Sequence, residues 1–239
     1  MSTLTRDALH SGEYLLNLGL PSESVWSQER LEKSLADTLY RRPAGEIWVF
    51  AYGSLMWNPL LEFEDCQPAT LTGWHRSFCL RSIAGRGSTT RPGRMLALEP
   101  NGRTQGLALR LHEKVAAEEL RVLWTREMAV GAYRPAWTKL VLRSGKPVHA
   151  IAFVADRTSN IYEADASAQT VAPIIAAASG SFGTNADYVH RLDFALAENA
   201  LEDEYVCHVV SKLKEACAMP DGGAGVGQAV QEPRDAQQP

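Results

Sequence analysis

Ile47-Trp48-Val49-Phe50-Ala51-Tyr52-Gly53-Ser54-Leu55 is the stretch on which the fold turns. Its first six residues are a nearly continuous apolar run, the pattern of a buried strand. The glycine after them lets the backbone turn sharply and expose its N–H groups. Downstream, further strands are predicted near residues 69–74, 76–82, 95–99 and 105–112. Turn chemistry at Arg91-Pro92-Gly93 and Asn101-Gly102 separates the last three, and Asn101-Gly102 predicts a hairpin. Strands near 136–143 and 148–154 flank Ser144-Gly145-Lys146-Pro147, a second hairpin candidate.

Helical patterns lie outward of these strands. Ser24 is placed to cap a helix carrying Trp26, Leu31, Leu35 and Leu39 at helical spacing, ended by Arg41-Arg42-Pro43-Ala44-Gly45. Val115 to about Thr125 reads as a helix, and three more are expected over 167–179, 185–199 and 203–217. Thr184 or Asn185 caps the second of those three. Strands in the middle with helices at the ends make an α+β chain with a mostly antiparallel sheet, curled into a barrel or half-barrel. The alternating βαβ order of a doubly wound nucleotide fold is absent.

The expected organisation is a helical extension over residues 1–45, one domain over 46–218 and a disordered tail over 219–239, where Gly, Ala, Gln and Pro dominate. The tail's Gly222-Gly223-Ala224-Gly225-Val226-Gly227 lacks both GxGxxG spacing and a preceding strand, so it reads as linker.

Composition narrows the function classes. The chain has 239 residues, 45% hydrophobic and 22% charged, with a net charge of −4. That is globular composition, and it disfavours a surface given over to nucleic acid or anionic membrane. No apolar run approaches the ~20 residues of a membrane helix. Residues 1–20 carry Arg6, Asp7 and Glu13 and have no continuous apolar core, so a signal peptide is not expected and the cytoplasm is the expected location. Cys66, Cys79, Cys207 and Cys217 form no CxxC pair, which argues for buried, reduced thiols rather than zinc or redox chemistry. The six histidines are dispersed without ligand spacing, and no metal is expected. Between Leu71 and Arg110 stand seven arginines (76, 81, 86, 91, 94, 103, 110) against a single acid, Glu99. They read either as solvated surface cations or as an anion-recognising face, for which the planar guanidinium fork is suited.

Two places can carry chemistry. Tyr52-Gly53-Ser54-Leu55, at the end of the buried strand, is either a plain strand-ending turn or a set of exposed N–H groups able to hold an anion or oxyanion. Glu127, just beyond the helix that ends near Thr125, is either a surface carboxylate paired with Arg126 or a desolvated one. The negative end of the helix and the apolar Trp124, Met128 and Val130 would push it toward neutrality, as a proton shuttle requires. There is no GxSxG, Walker A or HExxH.

Taken in order, these segments resemble the ChaC-like, glutathione-specific γ-glutamylcyclotransferases. The resemblance begins at Trp48-Val49-Phe50-Ala51-Tyr52-Gly53-Ser54-Leu55-Met56-Trp57. It continues through Gly73-Trp74-His75-Arg76-Ser77-Phe78, Ser82, Arg86-Gly87-Ser88, Pro92-Gly93-Arg94 and Gly106-Leu107-Ala108. It then takes in Arg126-Glu127, Tyr133 and Gly180 with Gly183-Thr184-Asn185-Ala186-Asp187-Tyr188, so it covers about residues 47–215. Arg81 stands where the family commonly has small residues, and residues 1–45 and 220–239 have no evident counterpart.

The resemblance implies an α+β fold of the γ-glutamylcyclotransferase type, a mostly antiparallel β-barrel with flanking helices. It implies that glutathione is cleaved to 5-oxoproline and Cys-Gly without metal or organic cofactor. It makes Glu127 the general acid/base, and Ala51, Tyr52, Gly53, Ser54, Leu55, Met56 and Tyr188 the substrate-binding residues. A small-molecule substrate is the expected partner, with no nucleic acid, membrane or obligate protein partner. Two other activities fit the same fold: cyclisation of other γ-glutamyl amino acids or amines, and a non-catalytic binding or regulatory module.

Overall fold

The structure is a computed structural model that describes residues 4–218; the expected tail over 219–239 lies outside the described residues. Five strands close into a barrel: β1 (Trp48–Ala51), β2 (Asp65–Ser82), β3 (Gly93–Arg110), β4 (Tyr133–Leu142) and β5 (Pro147–Ala155), in the spatial order β1-β3-β2-β4-β5. Neighbours in that order are antiparallel, and a parallel pairing of β1 with β5 closes the ring. All four residues of β1 are buried, because this strand is enclosed by pairing on both edges and packing on both faces. That is the physical content of the apolar run at Ile47–Tyr52.

The four short strands expected over 69–112 are two long ones. Asn101-Gly102 is not a chain reversal but a bulge inside β3. The register passes from Thr72↔Arg103 to Trp74↔Pro100, placing one extra residue on β3. Asn101 has φ 73° and Gly73, on the facing strand, φ 91°. Asparagine tolerates the left-handed region, so the Asn-Gly signal marked positive φ, which a bulge uses as readily as a hairpin does. A second register shift, between Ser77 and Leu80, places the compensating extra residue on β2. The two bulges bend and twist the eighteen-residue strands around the barrel. Reversal occurs over residues 83–92, leading to Gly93. The predicted turn at Ser144–Pro147 is present, with Gly145 at φ 85° donating to Leu142 O.

The helices are α1 (Arg6–Ser11), α2 (Glu13–Asn17), α3 (Gln28–Tyr40), α4 (Ala116–Glu127), α5 (Ala168–Ala177), α6 (Asn185–Glu198) and α7 (Glu204–Ala218). The cap of α3 is Ser27, which accepts from Arg30 N at 3.3 Å; Ser24 sits in a preceding 3-10 turn. Trp26 lies between that turn and the helix, its backbone N–H donating to Ala129 O at 2.7 Å. Thr184 caps α6 by accepting from Asp187 N at 3.0 Å. Asn185 turns inward instead, bonding both Arg94 N (2.6 Å) and Arg94 O (3.0 Å).

One continuous apolar core joins the strands to α3–α7, and a small separate cluster of Leu9, Tyr14, Val122 and Ala129 holds α1 and α2 against α4. Cys79 is buried, but Cys66 and Cys207 are exposed, contrary to the expectation of buried thiols. Cys66 stands near the start of β2, before the strand enters the core, and Cys207 follows the α7 core position Val206. The side chain of Cys217 lies outside the described part. Among the described residues, no helix is long and apolar enough to cross a membrane.

Candidate active site

Where β1 ends, Gly53 (φ −130°, ψ −134°) leads into a 3-10 turn, Ser54–Met56. The turn's first N–H groups have no intrahelical acceptors, as at any helix start. Tyr188 of α6 lies over this point. A Cβ on Gly53 would stand 2.9 Å from the Tyr188 hydroxyl oxygen, so the side chain absent from residue 53 makes room for the phenol. Trp57 and Phe78 hold the Tyr188 ring edge-on, with centroids at 5.4 and 6.2 Å.

α4 delivers the carboxylate. The helix runs two residues beyond the predicted Thr125 end, so Glu127 is its last residue. Leu120, Leu123 and Trp124 bury one face of α4 in the core and so fix its end. Arg126 then joins helix to loop: Nη2 donates to Ser54 Oγ at 2.8 Å, and Nη1 donates to Asn58 O at 2.6 Å and Pro59 O at 3.2 Å. Its Nε lies 3.1 Å from Glu127 Oε1. The Arg126–Glu127 pair exists, but not at the surface: the two side chains are 4% and 15% exposed.

Burial raises the Glu127 pKa above the ordinary 4.5, against the opposing charge of Arg126. The negative end of α4 acts in the same direction as burial. Four phenols feel the Glu127 charge: Tyr14, Tyr52, Tyr133 and Tyr188. All are pushed up, first by burial and then by that carboxylate or, for Tyr133, by the Tyr52 phenol ahead of it; Tyr14 reaches about 12. Two phenols are spoken for by the barrel, Tyr52 donating to Phe153 O and Tyr133 to Leu96 O at 2.7 Å. One ionisable carboxylate thus stands among neutral hydroxyls.

Glu127, Arg126, Tyr14, Tyr133 and Tyr188 share a cavity of about 670 Å³. Ser54, Glu127 and Tyr188, all singled out in the sequence, reach its wall. Gly53 lies beneath the Tyr188 hydroxyl. Ala51, Tyr52, Leu55 and Met56 do not reach the wall. Ala51 is fully enclosed, Leu55 is buried, and the sulfur of Met56 sits 3.8 Å from Arg76 Nη2. They lie behind the wall because β1 is packed on both faces and the turn folds its apolar residues inward.

Arg126, already marked by its place beside Glu127, also lines the cavity, as do Tyr14 and Phe182, for which no local pattern is a sign. The arginine-rich stretch divides. Arg81, Arg86 and Arg94 border the cavity, where Arg86 is depressed by burial and by the like charge of Arg191. Arg76 is fully buried, donating to Asp203 (2.7 Å), Tyr52 O (2.8 Å) and Gln105 O (2.6 Å), and Arg110 pairs with Glu46 and Glu64. Among the described residues, no cluster of three or more His, Cys, Asp or Glu side chains is arranged to hold a metal ion.

A closed five-stranded barrel with flanking helices, its mouth holding a desolvated glutamate beside a strand-ending Gly-Ser turn, has the γ-glutamylcyclotransferase fold. Its likeness to a solved yeast structure, a selenomethionine-labelled γ-glutamyl cyclotransferase specific to glutathione, has a TM-score of 0.66 at 20% identity, over 72% of this chain and 97% of that one. The chain belongs to the ChaC-like protein family, whose model matches residues 47–216. It is 47% identical over 223 residues to the Escherichia coli glutathione-specific gamma-glutamylcyclotransferase, covering 92% of this chain and 96% of that protein. It is 30% identical over 173 residues to the human glutathione-specific gamma-glutamylcyclotransferase 1, covering 70% of this chain and 78% of that one. The coverage by the bacterial relative is too great to be reached without much of residues 1–46, which precede the family match.

Proposed function

We propose that this chain degrades glutathione by cyclising its γ-glutamyl unit, releasing 5-oxoproline and Cys-Gly. The observation that carries the reading is Glu127, buried, raised in pKa and tied through Arg126 to the Ser54 turn in one cavity, in a chain 47% identical to a glutathione-specific relative. The substrate's α-amino group attacks its own γ-carbonyl carbon. A C–N bond forms, closing a five-membered lactam, and the bond to the cysteinyl nitrogen breaks. Nucleophile and electrophile belong to one molecule, so folding the substrate into reach supplies much of the acceleration. The attacking nitrogen must lose a proton and the leaving nitrogen must gain one. Glu127 takes the first and returns it to the second. Its raised pKa suits both duties. The N–H groups around Gly53–Leu55 hold the oxygen that becomes negative, with Tyr188 beside them. The balance contains no redox step and calls for no cofactor.

The same reading makes the protein a cytoplasmic enzyme of a small-molecule substrate, independent of nucleic acid, membrane or an obligate protein partner. The deciding experiment incubates purified protein with glutathione or γ-glutamyl-alanine and measures 5-oxoproline. Release from glutathione well above that from γ-glutamyl-alanine is expected. Equal release would move the assignment to a broader cyclotransferase, and no release from either would move it to a non-catalytic module.

A further inference from the structure

Residues 4–26 lie outside the family match, yet they cross the mouth of the cavity. The strap is fastened on both sides of Glu127. Upstream, Arg6 forms a two-pronged pair with the buried Glu119 of α4 and donates to Leu60 O at 3.1 Å. Downstream, Trp26 N–H donates to Ala129 O, and its indole packs so closely on Gly131 that a Cβ there would lie 2.2 Å from Nε1. The anchors are Glu119 within α4 and Ala129 two residues beyond Glu127, and between its own two ends the strap lines the same cavity as that carboxylate.

Gly12, at φ 76°, turns α1 into α2 and presents Tyr14. The Tyr14 ring stacks on Phe182 with centroids 6.2 Å apart and planes 12° from parallel. The residue is 91% buried, since only 9% of its surface is exposed, and it lines the cavity together with Leu4, Leu18 and Leu20. Its hydroxyl lies in the field of Glu127 and has no hydrogen-bond partner among the described residues. The ring is buried while the hydroxyl opens into the cavity, so this donor is free to bond whatever enters.

We propose that the N-terminal strap is part of the substrate site: Tyr14 donates a hydrogen bond to bound substrate, and Tyr14, Leu18, Leu20 and Phe182 form the apolar wall that encloses the cysteinyl side chain of the leaving half. The inference rests on the glutathione reading above. The γ-glutamyl half carries an ammonium and a carboxylate and belongs with the polar groups around Ser54 and Glu127. The apolar wall suits the thiol-bearing half, and one added methylene against such a wall is commonly worth about 10- to 200-fold in discrimination.

The test uses the full chain, Tyr14→Phe and a variant lacking residues 2–20, with glutathione and S-methylglutathione as substrates and 5-oxoproline as readout. Tyr14→Phe keeps ring and packing. It is expected to raise KM for glutathione about 3- to 10-fold, the worth of one hydrogen bond, with kcat within about threefold and an unchanged melting temperature. The truncation is expected to lose most of the preference for glutathione over the S-methyl compound. A strap that only stabilises the fold would lower both activities in proportion and leave KM and the preference intact. That pattern in both variants overturns the proposal. Failure of the parent protein to turn over glutathione would instead overturn the functional reading on which it rests.

Discussion

The two sides of the cavity are built by different means. On the barrel side, side chains are locked by buried polar contacts: Arg126 to three oxygens of the 54–59 turn, Tyr133 and Tyr52 to strand carbonyls, and Asn185 to both polar groups of the Arg94 backbone. On the strap side, Tyr14 packs with Leu9, Val122 and Ala129, and the Arg6–Glu119 ion pair ties the strap to α4. Fixed donors aimed at developing charge need the first kind of support, since a misplaced catalytic group loses its advantage steeply. Enclosure of a side chain tolerates the second. Substitutions on the barrel side should therefore act on kcat, and those in the strap on KM and stability.

The sharpest test of that division is Glu127→Gln. The amide keeps the shape and abolishes proton transfer, so turnover should fall by about 10²–10⁴-fold. The fold should not suffer. A carboxylate whose native pKa is raised contributes stability fully below the ordinary value near 4.5 and loses it as pH rises through the raised value. At neutral pH the ionised form is therefore a burden, and the neutral Gln variant should melt at least as high as the parent. In the parent, the acid limb of kcat/KM should lie above pH 4.5. Equal turnover by the Gln variant would remove the barrel side's claim to the chemistry.

Next in size is Gly53. Gly53→Ala would put a methyl 2.9 Å from the Tyr188 hydroxyl, at the residue that leads into the turn whose N–H groups are assigned to the oxyanion. Loss of donor geometry of this kind costs about 10²-fold in kcat. Adding Tyr188→Phe removes the oxygen that collides, so the double variant should recover part of the loss in a steady-state assay. If it recovers nothing, the damage lies in the backbone turn rather than in the phenol's position.

The barrel side was also the more legible in the sequence. Ile47–Tyr52 and Ser144–Pro147 report local requirements, namely burial of a short run and a glycine in the left-handed region. Asn101-Gly102 reported its local requirement too, but whether positive φ serves a turn or a bulge depends on a partner strand some thirty residues away, at Gly73. Ser24 and Ser27 are the same residue type in adjoining turns, and local pattern alone does not separate them as caps of α3. The cavity wall is harder still. Tyr14, Glu127 and Phe182 meet from segments more than fifty residues apart, and nothing near Tyr14 distinguishes it from any amphipathic tyrosine. Ala51, Tyr52, Leu55 and Met56 came with the Trp48–Trp57 stretch of the resemblance, and a contiguous stretch does not tell the face toward the cavity from the face toward the core.

The smallest expected effect belongs to the strap's clasp. Arg6→Ala leaves Glu119, 1% exposed, with the Glu62 backbone N–H at 2.9 Å as its remaining donor. Stranding a buried charge commonly costs about 3–5 kcal/mol. Here the Arg6 side chain is 29% exposed, and the strap can lift to admit water, so about 1–2 kcal/mol is the reasonable scale. The sign of the pH dependence follows from Glu119, whose pKa is lowered: burial acts to raise it, but the bonds from Arg6 and Glu62 more than offset that. A lowered carboxylate contributes stability above its unfolded value near 4.5 and loses it as pH falls through the lowered one. The difference between parent and Arg6→Ala in urea titration should therefore be largest near pH 7 and shrink below pH 4.5. Amide exchange should quicken over residues 6–17 while β1–β5 stay protected, and KM for glutathione should rise with kcat little changed. Exchange that quickens across barrel and strap together would show that the two sides form one cooperative unit, and the contrast between them would fall.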